Sequence, residues 1–104
     1  MAKHVTLVSL SKTVAVASTA EAIAPDNTWV RSAVIQAKKV AANNAGNIHI
    51  GLSALDQGVA ELIELAPGDD LPLNPNADVV FDLGTIYVDA DIAGDGITCL
   101  YVPE

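Results

Sequence analysis

The chain has 104 residues, 51% of them apolar, only 17% charged and 4% aromatic, with a formal net charge of −8. That length sets one domain over residues 1–104, with a single core built from Val, Ile, Leu and Ala. No run nears the eighteen or so apolar residues that a membrane helix needs, and the acidic balance disfavours nucleic acid and anionic membranes as partners.

The opening MAKHVTLVSL carries one Lys and no apolar stretch of useful length, so no signal peptide is expected. His4 to Leu10 is β-rich, and residues 1–10 read as an edge strand or as an N-terminal arm that reaches a neighbour. Val5, Leu7, Val8 and Leu10 are the expected partner-binding side chains. Thr13 to Ala17 alternates Val14 and Val16 with small residues, as a strand does. Ala24-Pro25-Asp26-Asn27 is turn chemistry: proline fixes φ and the Asx side chains bond locally.

Trp29 to Ala37 follows, with Ala33, Ile35 and Ala37 on one face and Val34 and Gln36 on the other. A helix over residues 31–42 is the competing reading, favoured by Ala, Lys and Gln. The β-branched Val30, Val34 and Ile35 rank it second. The stretch AANNAGNIHIG, residues 41–51, is neither a P-loop nor a dinucleotide fingerprint, because it lacks the Lys of the first and the glycine spacing of the second. It reads as a corner between strands. Ile48 and Ile50 share a face, so His49 is expected on the opposite one, exposed, rather than as a metal ligand. His4 is the other histidine and has no adjacent carboxylate.

Residues 59–65 alternate again, Pro67-Gly68-Asp69-Asp70 is a turn, and Leu71-Pro72-Leu73 reads as a short edge strand. Asn74-Pro75-Asn76 is a further turn, Val79-Val80-Phe81 is apolar, and Gly84 to Asp89 alternates. Ala93-Gly94-Asp95-Gly96 reads as a tight hairpin, with Ile97 to Val102 returning. The sum is about eight short strands at roughly ten-residue spacing: an all-β domain, a compact antiparallel β-sandwich or a jelly-roll-like barrel.

Catalytic signatures are missing. Cys99, the only cysteine, lies in an apolar strand where a thiol behaves as a small hydrophobe. No serine lies in a GxSxG elbow. Asp69 and Asp70 have no apolar pocket to shift a pKa. An enzyme is not expected, and neither is a cofactor. Asp89, Asp91 and Asp95 match part of a calcium-loop register, but Ala93 and Leu100 stand where two further ligands belong. An acidic turn is preferred there, with those three aspartates as the alternative cation ligands.

Charge is uneven along the chain. Residues 1–50 hold all five basic residues and two acids, whereas residues 51–104 hold eleven acids and no base. The first half is therefore expected to supply an adhesive face and the second an outward, soluble one. The low charge content also points to apolar surface covered by a partner subunit.

The segments VTLVSLSKTVAVAS, TWVRSAVIQA, NAGNIHIG, ELIELAPGDDLPL and TIYVDADIAGDGITCLYV cover most of the chain. In pattern and order they resemble the small all-β capsid decoration, or cement, proteins of tailed bacteriophages. The resemblance implies a structural virion protein, made in the host cytoplasm and placed on the capsid exterior. There it would bind the outer surface of the major capsid protein as a homotrimer or dimer and stiffen the shell. The family implies no catalytic or ligand residues. A tail, neck or fibre accessory protein fits the same pattern. A carbohydrate- or cell-surface-binding module is the rival from another class, opposed by the scarcity of aromatics for sugar stacking.

Overall fold

The computed structural model describes residues 6–38, 45–56, 59–74 and 79–104, with the backbone alone at 53–56 and 59–61. Among the described residues nine strands follow one another: β1 Val8–Thr13, β2 Glu21–Ala22, β3 Trp29–Ala37, β4 Ile48–Asp56, β5 Val59–Leu65, β6 Asp70–Leu73, β7 Phe81–Asp82, β8 Tyr87–Ala90 and β9 Gly96–Pro103. Helical structure among the described residues is one 3-10 turn at Leu83–Thr85. The expected all-β sandwich is therefore the fold, and residues 31–37 are strand rather than helix.

All strand pairs are antiparallel. One sheet runs β1-β9-β3-β6, with the short β7 also on β3, and the other runs β2-β8-β4-β5. With the two-residue β7 set aside, this is the strand order of a jelly roll, two interlocked Greek keys. Nearly every connection in that topology crosses from one sheet to the other, and only β4 to β5 stays within one. The Ala93–Gly96 turn is accordingly not a hairpin. It carries the chain from β8 in one sheet to β9 in the other, and Gly94 takes the left-handed φ of +95° that this corner requires.

Alternation fills the core. Leu10, Cys99, Ile35 and Leu71 form one inward row across four strands, facing Ile48, Ile50, Val88 and Ala90 of the second sheet. Burial raises the Cys99 thiol to about 11, so it packs as a neutral hydrophobe. A bulge at Arg31 places two β3 residues against one of β9, and both Val30 and Ala33 then face inward.

The strand expected at Thr13–Ala17 ends at Thr13. Beyond it Val14 turns into the core, its N–H donating to the Asp95 carbonyl at 2.8 Å and its carbonyl accepting from Gly94 N–H at 2.9 Å. Asp82 pins the other end of the sandwich. Its carboxylate accepts from the N–H groups of Asn27, Thr28 and Gly84 at 2.8–2.9 Å. These bonds, that from Asn27 foremost, hold its pKa below the usual aspartate value.

Candidate functional site

The two outer faces of the sandwich differ in chemistry. On the β1-β9-β3-β6 sheet, Ser9, Leu100, Val34 and Pro72 form one outward row. The next row is Ser11, Thr98, Gln36 and Asp70, and Val102 pairs with Ser32 beyond the first. Asp70, at the sheet edge, is the one charged residue in these rows. Leu100 is 47% exposed and Val34 36%, and they lie side by side at the centre. With Asp70 at one edge and the exposed Arg31 at the β3 bulge, this face carries little charge for a chain of net charge −8.

One expectation is corrected: the two chain halves do not form separate faces, because β9 from the acidic half lies between β1 and β3. Of the side chains expected to bind a partner, Val8 and Leu10 are on the inward side of β1, Leu10 against the core. Residues 8–10 are paired as an edge strand, and residues 1–5 of the expected strand or arm lie outside the described residues. Leu7, just before β1, is 55% exposed. Val5 lies outside the described residues.

A second apolar surface opens where the sheets part, a groove lined by Leu52, Leu62, Leu73, Phe81 and Ile86. Leu52 and Leu62 are strongly exposed there. Trp29 is exposed at the start of β3, while Phe81 and Tyr101 pack against the core.

The outer face of the β2-β8-β4-β5 sheet is acidic. Register aligns Glu64, His49 and Asp89 in one row across β5, β4 and β8. His49 does face away from Ile48 and Ile50, as alternation requires, but it is buried, at 5% exposure, and not exposed as expected. Its Nε2 donates to Asp91 Oδ1 at 2.8 Å, and Asn47 Nδ2 donates to Glu64 Oε2 at 2.6 Å. Among the described residues, His49, Glu64 and Asp91 bring one ligand atom each within 4.8 Å of one another.

The three aspartates considered for a calcium loop go to separate partners. Asp89 is fully buried opposite His49, its Oδ1 accepting from the Ala90 amide. Asp91 bonds His49. Asp95, 2% exposed, accepts from the Ala45 and Gly46 amides at 2.7–3.1 Å. The Ala45 and Gly46 amides do hold an anion, but that anion is the chain's own carboxylate. Residues 41–44 of this stretch lie outside the described residues.

Comparison with family models, curated proteins and solved structures gives no match.

Proposed function

We propose that this chain is a structural binding protein of a phage virion, attached to the outer surface of the major capsid protein through the charge-poor face of the β1-β9-β3-β6 sheet. The observation that carries this reading is the row Ser9–Leu100–Val34–Pro72, exposed and uncharged on an otherwise acidic domain. Solubility alone does not call for such a face, and contiguous exposed apolar surface marks interaction sites. The jelly roll, used in viral capsid and lectin domains, supports the reading by analogy of fold. So does the resemblance of the sequence segments to decoration proteins.

Self-association as a trimer belongs to the same proposal. Four strands about 4.8 Å apart and some five residues long cover only about 300 Å². A standard interface buries about 800 Å² per partner. Several copies held together raise attachment by avidity without further contacts. The groove beside Leu52 and Leu62 offers the second apolar surface that such an assembly needs.

Co-sedimentation with capsid shells that lack the protein tests the reading: saturable pelleting supports it, and protein left in the supernatant counts against it. A carbohydrate-binding module is the second reading, favoured by the exposed Trp29. Binding to a glycan array, lost on Trp29→Ala, would replace the capsid reading.

A further inference from the structure

We propose that His49, Glu64 and Asp91 form a binding site for a divalent transition-metal ion of the zinc type. The donors are one imidazole nitrogen and two carboxylates, drawn from β4, β5 and the loop after β8. An imidazole disfavours calcium and magnesium, which take oxygen ligands. One nitrogen with two carboxylate oxygens is a set that Zn²⁺ accepts at about 2.0–2.2 Å, leaving a fourth position for water.

The geometry is near that of a metal site. Tetrahedral ligands at such bond lengths lie about 3.4 Å apart. The 2.8 Å His49–Asp91 pair opens slightly to reach that spacing, and Glu64 closes in from its place within 4.8 Å. Glu64 and Asp91 are exposed enough to make these shifts, whereas His49 is fixed by burial. Asn47 orients the Glu64 carboxylate by its 2.6 Å hydrogen bond, as partners behind metal ligands do. On binding, Nε2 must offer its lone pair with the ring proton on Nδ1, so a neutral His49 shifts tautomer and an imidazolium releases one proton to solvent.

Asp89 supplies an independent sign. It is directly opposite His49 in the β4–β8 register and fully buried. Its Oδ2 has no hydrogen-bond partner among the described residues. A buried carboxylate with an unused oxygen is costly unless its charge is compensated. No Lys or Arg among the described residues pairs with Asp89, Asp91 or Glu64. A dication held by the neighbouring imidazole would offset this concentration of negative charge.

The test is isothermal titration of the full chain with Zn²⁺ alone in a non-chelating buffer near neutral pH, with thermal melts alongside. The expected result is one ion per chain, a raised melting temperature, and affinity at least tenfold weaker in Glu64→Gln and in Asp91→Asn. Both side chains are exposed, so each variant's metal-free melt reports whether it still folds. No saturable binding, or binding unchanged in both variants, overturns the site. So does binding that is lost on His4→Ala and kept in Glu64→Gln.

Discussion

Val34 lies directly opposite Leu100 across the β3–β9 pair, and both side chains stand partly in solvent on the charge-poor face of the sandwich. Sequence separates them by 66 positions, and only the jelly-roll crossover that inserts β9 between β1 and β3 makes them neighbours.

The groove is expected to hold copies of the chain together. Leu62 is 68% exposed at its edge. Light scattering should give a trimer for the wild type and a monomer for Leu62→Glu, with melting temperatures corrected to equal concentration. A monomeric wild type at high concentration would remove the trimer from the account.

Gly96→Ala should be among the most damaging single-methyl additions. A Cβ there would sit 2.1 Å from the Lys12 carbonyl oxygen and 3.0 Å from Thr13 Cα, both backbone atoms of the paired β1. The strands must separate, at a cost of about 3 kcal/mol, the upper part of the usual overpacking range. Urea unfolding measures it.

Asp95→Ala removes a buried carboxylate from the amides of Ala45 and Gly46. Leaving these donors unpaired should cost roughly 2–4 kcal/mol, and Asp95→Asn less, since it keeps one acceptor oxygen. Chemical denaturation of the three proteins checks the order.

Acid should erase the contribution of Asp82. Its folded-state pKa is depressed, chiefly by the Asn27 amide, with Gly84 and Thr28 adding to it. The stabilisation is therefore present above the unfolded aspartate pKa, about 3.9, and is lost as pH falls through the lower folded value. Asp82→Ala should melt below the wild type near neutral pH. The gap should close once the pH lies well below the usual carboxylate range.

Much of the fold was legible because alternation is a local signal. The expected strands at Trp29–Ala37 and Val59–Leu65 coincide with β3 and β5, and Ala33, Ile35 and Ala37 do share the buried face. Gly-Asp-Gly chemistry marks a turn but not whether the chain returns within its own sheet, so the β8–β9 corner read as a hairpin. The side of His49 was legible, but its burial and its alignment with Glu64 and Asp89 were not. These depend on pairing registers among β5, β4 and β8, which no spacing along the chain encodes. The apolar centre of the other sheet's outer face was hidden likewise, since it is drawn from both chain halves.

The most direct measurement is co-sedimentation with decoration-free capsid shells of the wild type beside the Val34→Glu/Leu100→Glu double variant. The two glutamates stand opposite each other across β3 and β9, so the double variant should melt below the wild type, and its circular dichroism melt must show it folded at the assay temperature. The account predicts that the wild type pellets to saturation while the folded double variant stays in the supernatant. Equal pelleting of the two, or a wild type that does not pellet, would contradict it.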